Sequence, residues 1–594
     1  MSTSTERIWA ATAALSLLDI GILVVGSSLS SYIYFKRFEP QRPLPLFILV
    51  VLIPGVLSVP LSTFLSSNTL GVAFAFTAYG GLVLFYTLIY RLSPFHPLAQ
   101  YPGPILARIS KWWSSFVCAR GKQHLYYRSL HEQYGDIVRV GEYDFDHSAP
   151  WYFHLGIKLA GPNELSIRDA SVIPPILGPG GLPKGPWWDN RTNPPALVGL
   201  RDPVEHQRRR KPWNRAFTSS AVKEYETIVA SRSRQLVDRL ASLVRSEGKG
   251  EKKISMPLDI GAWMSYFTTD FMGDMAFGGG FELMEDGGDA KGVWHIFESG
   301  MKSSAVMAHT SWSLVLLKYL PGTVQTIQRM RNFGGVNVVN RMKLGAKRKD
   351  LFYYLSGEDD SSTVRPSLPT LTSDGILAII AGSDTTATTL TALFNYLMQY
   401  PAVYERLQQE IEAAFPHGEE PIDAAKLSRM SWLNACINES LRLYPAVPSG
   451  SQRSILRGEG PRAIGHYVFP EQTQVFVHTY SVHRDPRNFS SPDQFIPQRW
   501  LRDSADDMDE KTNFSATENF IHNSAAFIPF SYGPTICAGK NLALLEMRMV
   551  VCFLMQRLEF RRISGAGIGQ WEDELEDQFV IRKPPLWANV SVRS

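Results

Sequence analysis

The chain has 594 residues, a net charge of +4 and a hydrophobic fraction of 44%. This composition excludes a disordered protein, and so small a charge excess is not that of a nucleic-acid-binding protein. The four cysteines form no CxxC pair, which argues against a zinc ribbon. We predict that Cys118, Cys436 and Cys552 are small buried side chains.

Three apolar runs occupy the first ninety residues, at about Ile8–Phe35, Leu46–Leu65 and Leu70–Tyr90. Each is close to the ~20 residues that a helix needs to cross a bilayer. The connection after the first run and the segment after the third are basic, whereas the second connection carries no charge. Because basic residues favour the cytosolic side, we predict a three-span anchor over residues 1–95 with the remainder in the cytosol.

Two features of these runs leave a two-span anchor as an alternative. Asp19 falls inside the first run, where an acid is costly, and Pro54 and Pro60 would kink the second. The segment Tyr101–Pro104 reads YPGP and cannot continue a helix. We therefore place a second domain over residues 96–594.

The second domain is predicted to be mostly α-helical with small β-sheets. Residues 165–204 are rich in Gly and Pro and indicate a long irregular loop. The sequence lacks GxGxxG and GxxxxGK[ST] motifs, so any electrons must come from a partner. Helical patterns cover 205–245, 256–280, 295–355, 373–400, 403–414, 425–444 and 537–559, and short strands are predicted at 463–468 and 474–478.

One loop near the C-terminus carries the strongest chemical signal. It runs from Phe530 to Ala543 and reads FSYGPTICAGKNLA. Gly533 and the following proline predict a turn, after which Cys537 stands at the expected start of a helix, where amide donors favour a thiolate. Gly539 allows a flat ligand to approach the backbone closely. A thiolate in these surroundings suits the axial position of a haem iron.

This loop resembles the haem loop of the cytochrome P-450 family, FxxGxRxCxG. Phe530, Gly533, Cys537 and Gly539 match the pattern, and the resemblance implies that Cys537 ligates the iron. Thr535 departs from it, because the family usually has an arginine or histidine there that holds a haem propionate. This departure puts the anchoring of the propionate in doubt and leaves the iron ligand unaffected.

Further motifs stand in the family's order. The sequence Ala381–Thr386, AGSDTT, matches the distal-helix pattern AGx[DE]T[TS]. Threonine hydroxyls can bond the carbonyl one turn back and loosen a helix, which in the family makes room for dioxygen and water. The resemblance implies that Thr385 donates a hydrogen bond to dioxygen and that Asp384 relays protons from solvent. The alternative is local helix bonding by the threonines.

Two more motifs imply structural and haem-binding roles. The resemblance makes Glu439 and Arg442, an ExxR pair on one helical face, and the downstream Arg499 a buried network behind the haem. It also makes a second group of residues propionate ligands in place of Thr535: His206, where the family often has tryptophan, Arg210 and Arg453.

The resemblance covers about residues 97–594 and implies a cytochrome P-450 fold with haem b, a monooxygenase activity and a lipophilic substrate. It implies electrons from NADPH–cytochrome P-450 reductase, with cytochrome b5 as a second candidate donor, and an endoplasmic reticulum location typical of fungal microsomal members of secondary metabolism. We expect the substrate pocket to be lined by Trp187, Trp188, Ile380, Ala381, Val447 and Ser449. The alternatives are a reductase-independent haem-thiolate isomerase or dehydratase and a non-enzymatic haem-binding membrane protein.

Overall fold

The computed structural model describes residues 15–38, 43–105, 108, 111–140, 163–189, 192–246, 255–310, 321–346, 348–360, 365–501, 520–563 and 570–593. Its architecture is mostly α-helical with small β-sheets, as predicted from the sequence. An N-terminal group of apolar helices precedes a large helical domain.

Three N-terminal helices are long and apolar enough to cross a membrane: Leu17–Arg37, Pro43–Phe64 and Asn68–Leu92. Residues 8–14 of the first predicted span lie outside the described residues. The second helix contains a π-helical segment, Ile48–Leu52, directly before the turn that holds Pro54. Because proline lacks an N–H donor, a local change of hydrogen-bond spacing is expected beside it.

The acid in the first apolar run lies at a helix end. The helix begins at Leu17, and Asp19 forms a capping box with Ser16. The backbone N–H of Ser16 donates to Oδ2 of Asp19 over 3.0 Å, and the Asp19 N–H donates to Oγ of Ser16 over 3.3 Å. Asp19 therefore lies in the first turn of the helix and not at its centre, where an acid would be most costly, and its carboxylate stabilises the start of the helix.

The large domain is built mainly from helices. Most predicted helices are present, but three are divided: 205–245 at Phe217–Thr218, 295–355 after Ala308 and again after Leu344, and 425–444 at Met430. The helices are Lys111–Ala119, Gln123–Tyr134, Ile173–Leu177, Pro203–Ala216, Ser219–Ser246, Ile260–Phe277, Leu283–Asp286, Val293–Ala308, Pro321–Leu344, Leu351–Leu355, Leu368–Gln399, Pro401–Ala414, Ala424–Arg429, Ser431–Leu443, Thr479–His483, Lys540–Arg557 and Gln570–Asp573.

Small sheets flank the helices. The largest has four strands in the order Ile137–Arg139, Glu164–Ile167, Gln474–Val477 and Arg453–Ser454. Its second strand shows that residues 165–204 are not irregular throughout, because Leu165 and Ile167 are fully buried and pair with Val475 and Val477. The other strands are Ser255–Asp259, Arg462–Ile464, Tyr467–Phe469, Leu558–Arg562, Glu576–Gln578, Val580–Arg582 and Trp587–Val592.

The helix Leu368–Gln399, here called the distal helix, passes through the centre of the domain. It is apolar enough for a membrane span, but two thirds of its most apolar stretch is buried inside the protein. Leu390, Phe394 and Leu397 are completely buried. It is therefore a core helix, and it extends one face into the candidate site.

The YPGP segment is not helical, as predicted, and it is fixed against the first sheet. The carbonyl of Pro102 accepts the N–H of Arg139 over 2.8 Å. Gly103 has φ 155°, and a Cβ there would lie 2.2 Å from the carbonyl oxygen of Arg139. The segment thus ties the end of the apolar helices to the large domain.

Candidate active site

A cavity of about 710 Å³ lies between the distal helix and the loop that carries Cys537. Phe530, Thr535, Cys537 and Gly539 line it from the loop. Ala381 and Thr385 line it from the distal helix, together with Ile380. The two strongest sequence motifs therefore face one space.

The loop around Cys537 is held by backbone contacts. The Cys537 N–H donates to the carbonyl of Phe530 over 2.9 Å. Gly533 has φ 69°, and a Cβ there would lie 2.3 Å from the carbonyl oxygen of Leu177, so this position requires glycine. At Gly539 a Cβ would come no closer than 3.8 Å to another residue, so the protein leaves room above the backbone.

The expectation that the last helix begins at Cys537 is wrong, because it begins at Lys540. The Cys537 N–H is used to close the loop onto Phe530, so the cysteine precedes the helix by three residues. Burial raises the pKa of the thiol, while the backbone N–H groups of Gly539 and Lys540 and the charge of Arg210 lower it. These donors would favour the thiolate once a metal ion binds.

Basic side chains collect at one edge of the cavity, and we name them the basic cluster: Lys184, His206, Arg210 and Arg453. The sequence predicted the last three, and the structure brings them together. Arg210 donates from Nη2 to the carbonyl of Ile536 over 2.7 Å, and Arg453 donates from Nη2 to Oγ1 of Thr535. Thr535 thus contacts the basic cluster although its side chain carries no charge.

Burial, together with the charges of Lys184, Arg210 and Arg453, lowers the pKa of His206 to about 4. The histidine is therefore neutral at physiological pH. Arg210, Arg453 and Lys184 crowd a single region, and such a group of basic side chains suits an anionic ligand.

Lys184 was not predicted from the sequence. It is buried, and its strand-like contact with Arg453 places it beside the cavity. Burial, together with the charges of Arg453 and Arg210, lowers the pKa of its ammonium group to about 7. Its only sequence signal is a lysine within an uncharged Gly- and Pro-rich stretch.

Two threonines of the distal helix that line the cavity, Thr385 and Thr389, bond their own helix. Thr385 donates from Oγ1 to the carbonyl of Ala381 over 2.7 Å, and Thr389 donates to the carbonyl of Thr385 over 3.0 Å. The helix nevertheless continues without interruption from Leu368 to Gln399. The structure therefore shows the expected local bonding and no break at Thr385.

Asp384 faces a separate small pocket beside the cavity. Its Oδ1 lies 3.5 Å from Nζ of Lys583, and the side chains of Lys583 and Asp384 are 5% and 15% exposed. Glu298 and Arg582, which form an ion pair with each other, line the same pocket. Burial raises the pKa of Asp384, and Lys583 partly offsets that effect. Lys583 was missed because nothing in the local sequence links it to the distal helix.

Glu439, Arg442 and Arg499 form a buried network. Glu439 accepts hydrogen bonds from Nε of Arg442 at 2.9 Å, from Nε of Arg499 at 3.0 Å and from Nε1 of Trp500 at 2.9 Å. Burial disfavours its charge, but the two arginines outweigh burial and hold the pKa of Glu439 below its usual range. Arg442 also donates to the carbonyls of His483 and Pro492.

An ion pair joins two walls of the cavity. Arg209 lies on the helix Pro203–Ala216, next to Arg210, and donates from Nη2 to Oδ2 of Asp374 on the distal helix over 2.6 Å. Both side chains are about nine-tenths buried. Asp374 also accepts the N–H of Leu197, so the pair fixes a loop as well as two helices.

The predicted lining of the substrate pocket is partly wrong. Trp188, Ile380, Ala381 and Val447 line the cavity, but Trp187 and Ser449 do not. Trp187 packs against Trp188 and Phe579, and Ser449 donates to Oδ2 of the buried Asp577 over 2.6 Å.

Glu546 also lines the cavity and was missed. It is buried on the helix that follows the cysteine loop, and burial raises its pKa well above its usual range. The sequence did mark this residue, because Glu546 is a single acid between the apolar residues 542–545 and a mostly apolar stretch that follows.

A protein-family model described as Cytochrome P-450 matches residues 181–588, which is more than half of the chain. The chain is a cytochrome P-450. The cytochrome P-450 monooxygenase FCK2 of Fusarium pseudograminearum is 33% identical over 524 residues, 87% of this chain and 86% of that protein. The cytochrome P-450 monooxygenase nodW of Hypoxylon pulicicidum is 31% identical over 557 residues, 93% of each chain.

Membership of the cytochrome P-450 family makes this chain an oxidoreductase with a haem-thiolate cofactor. The residues present fit a haem. A thiol reaches the cavity wall, open space lies over Gly539, and the basic cluster matches the two carboxylates of the porphyrin. Within the described part of the chain, the buried Nε of Arg453 has no hydrogen-bond partner, as expected of a donor that serves a bound anion.

Proposed function

We propose that Cys537 is the thiolate ligand of the haem iron. Four cysteines are present and the structure describes all of them. Cys118, Cys436 and Cys552 are buried, as predicted, whereas Cys537 is surrounded by protein but open to the space inside the cavity. This placement is the observation that carries the proposal.

When bound, the haem supplies a redox-active iron whose thiolate ligand favours cleavage of the O–O bond. Arg210, Arg453 and Lys184 would hold its carboxylates, with His206 as a neutral neighbour. Phe530 and Gly539 would shape the surface beside the sulfur, and Gly533 allows the turn that presents Cys537. Glu439, Arg442 and Arg499 hold the segments behind this loop in place.

Protons would reach the cavity through the distal helix. Asp384 would take them from the solvent side, where Lys583, Glu298 and Arg582 surround it. Thr385, the next residue, lines the large cavity and would donate a hydrogen bond to dioxygen. The two neighbours therefore connect two separate spaces.

The substrate would be a lipophilic small molecule. Five methionines line the cavity from four surrounding helices: Met272, Met301, Met307, Met330 and Met547. Methionine side chains are flexible and apolar, so such a wall adapts to the shape of an apolar ligand. The electrons would come from NADPH–cytochrome P-450 reductase, with cytochrome b5 as a second donor, and the pathway would be one of fungal secondary metabolism.

The apolar helices would anchor the enzyme in the endoplasmic reticulum membrane through three spans, with the large domain in the cytosol. The contact between Lys36 and Tyr90 supports this topology, because it places the C-terminal ends of the first and third helices side by side. Two helices separated by one intervening span must run in the same direction.

The proposal is tested by expressing the full chain with a reductase and profiling metabolites, with Cys537→Ala as the matched control. The native chain should give an NADPH-dependent oxygenated product and the ferrous–CO spectrum of a thiolate-ligated haem, and the variant neither. A variant that keeps full haem and the same spectrum contradicts the assignment of Cys537. Conversion of a substrate without NADPH would favour the isomerase or dehydratase alternative.

A further inference from the structure

The small pocket and the large cavity lie side by side at the distal helix and share part of a wall. Asp384 lines the small pocket, whereas Thr385 lines the large cavity. Three of the described residues line both spaces: Met301, Gln578 and Val580. Met301 and Val580 are apolar, so Gln578 supplies the only polar side chain that the described part of the chain places in this shared wall.

Gln578 lies in a hairpin of two short strands, residues 576–582, that is fixed to the distal helix. The hydroxyl of Thr388 donates to the carbonyl of Ile581 over 3.1 Å, and this contact is buried. Thr388 follows Asp384 by four residues, so the two side chains lie on the same face of the helix. The hairpin is therefore held against the face of the distal helix that carries Asp384.

The side-chain amide of Gln578 is bonded on one side only. Its Nε2 donates to Oε2 of Glu576 over 2.5 Å, and the same Oε2 lies 3.5 Å from Nη1 of Arg582. Because a carboxylate accepts, the amide nitrogen faces Glu576 and the amide oxygen is directed elsewhere. Gln578 is 4% exposed, and no donor in the described part of the chain reaches its Oε1. A buried amide oxygen normally has a donor, and water can serve as one.

The small pocket has the size and the lining of a water site. Its volume is about 20 Å³, and a buried water needs about 10–15 Å³ and two to four polar partners. The polar side chains that line it besides Gln578 are those of Asp384, Glu298, Arg582 and Lys583. A water molecule has two protons and two lone pairs, so it can donate to Oε1 of Gln578 and bond the carboxyl group of Asp384 at the same time.

We propose that one ordered water joins Oε1 of Gln578 to the carboxyl group of Asp384, and that Gln578 positions this water where protons enter the large cavity. The proposal rests on the proposed function, in which Asp384 takes protons from the solvent side. Asp384 gives its proton to the water, and the water passes one of its protons to the cavity side of the wall, beside Thr385. The amide takes up no proton, so Gln578 is a positioning residue.

Gln578→Leu tests the proposal, because leucine fills the wall without a hydrogen-bonding atom. The full haem-loaded chain, with reductase and the substrate found by metabolite profiling, should form about two- to tenfold less product per NADPH, the factor that one lost hydrogen bond is worth. The missing electrons should appear as hydrogen peroxide, which takes up two electrons and two protons per dioxygen. The solvent isotope effect on product formation should rise, because proton delivery becomes slower.

Gln408→Leu is the matched control. Gln408 is also buried, and its Nε2 also donates to a carboxylate, that of Glu412, over 3.0 Å, but it lines neither space. This variant should form as much product per NADPH as the native chain. Val580→Thr adds a hydroxyl to the shared wall without changing its shape, and in combination with Gln578→Leu it should restore part of the lost product. An equal loss in Gln578→Leu and Gln408→Leu would overturn the proposal.

A crystal structure of the full haem-loaded chain gives a readout that does not depend on turnover. The native chain should show one water within hydrogen-bond distance of both Oε1 of Gln578 and the carboxyl group of Asp384, and Gln578→Leu should lack it. A native structure with no water between these two groups would overturn the proposal. The ferrous–CO spectrum of each variant checks that the domain is folded.

Asp384→Asn separates this inference from the proposed function. If Asp384→Asn forms as much product per NADPH as the native chain, the relay through Asp384 is wrong, and the role of Gln578 is wrong with it. If Asp384→Asn loses product and Gln578→Leu does not, the relay stands and only the role of Gln578 is wrong. A loss in both variants, with the peroxide release described, supports the path past Gln578.

Discussion

The carboxylate of Asp384 on the distal helix lies 3.5 Å from the ammonium group of Lys583, which follows the strand Val580–Arg582 near the C-terminus. The contact holds the proposed proton-relay acid away from the large cavity and in the small pocket that Glu298 and Arg582 line. Lys583 is therefore a positioning residue for Asp384.

Lys583→Met should move the acidic limb of the pH–rate profile to higher pH. Burial raises the pKa of Asp384 and Lys583 opposes that shift, so loss of the cation raises the pKa again. An acid that must be ionised to collect protons then becomes protonated at a higher pH. The measurement is NADPH-driven product formation against pH, together with the solvent isotope effect. Lys302→Met, whose ammonium lies beside Glu576, is the control. A uniform loss of rate with an unmoved limb would mean a structural role.

Lys184→Met should weaken haem binding by about 10- to 100-fold, since a hydrogen bond to a charged group is worth about 1.5–3 kcal/mol. The transfer of haem to excess apomyoglobin measures the loss. Lys211→Met removes the same charge from an exposed position of the helix that carries Arg210 and should have no effect. Adding Thr535→Arg, which restores the family's basic residue, should slow haem loss from the Lys184 variant. Unchanged haem transfer in Lys184→Met would exclude this lysine from the propionate site.

Glu439→Gln should destabilise the domain by about 3–5 kcal/mol, because two arginines would remain buried without their carboxylate. Glu439 and Arg442 are fully buried, and Arg499 is 2% exposed. Thermal unfolding followed by loss of the haem absorbance measures the effect. Glu132→Gln is the control, since its pair with Arg128 is largely exposed and such pairs contribute about 0–1 kcal/mol. Similar melting of both variants would contradict the structural role of the network.

His124→Phe should make the protein more resistant to acid. Burial, with the charges of Arg484 and Lys122, lowers the pKa of His124 to about 3, whereas the unfolded chain has about 6.5. A lowered pKa means that stability is fully present above pH 6.5 and is lost as the pH falls toward 3. Phenylalanine keeps the edge contact with Tyr480 and removes the titration.

Urea unfolding at several pH values measures this effect, and the gain should be on the order of a few kcal/mol at pH 4. His417→Gln, at an exposed position, is the control and should leave the pH dependence unchanged. If the stability of His124→Phe falls with acid as steeply as that of the native chain, His124 is not among the groups that make the fold acid-sensitive.

The sequence predicted the site residues that belong to short local motifs. Cys537, Thr385 and Arg453 all reach one cavity, and Glu439 meets both predicted arginines, although their roles stay predictions. Helix periodicity and the Gly-Pro turn were enough to predict the helices and the loop that carry these residues.

Residues that reach the site through contacts between distant parts of the chain were not predicted from the sequence. Lys184 reaches the cavity through its contact with Arg453, and Lys583 meets Asp384 from a distant strand, so no local pattern marks either. The strand Glu164–Ile167 was hidden for the same reason, because its partner is Gln474–Val477. The start of the last helix was misplaced because the Cys537 N–H closes a loop, which spacing does not reveal.

The buried pair of Arg209 and Asp374 limits where the cavity can open. It locks the helix that carries His206 and Arg210 to the distal helix, and two buried charges are costly to separate. Any opening that admits a ligand is therefore expected at other walls of the cavity, such as those that Met301 and Met330 form on the helices Val293–Ala308 and Pro321–Leu344. The side of the cavity that would hold the cofactor is thus expected to stay fixed, while a wall lined by methionines adapts to ligands of different shapes.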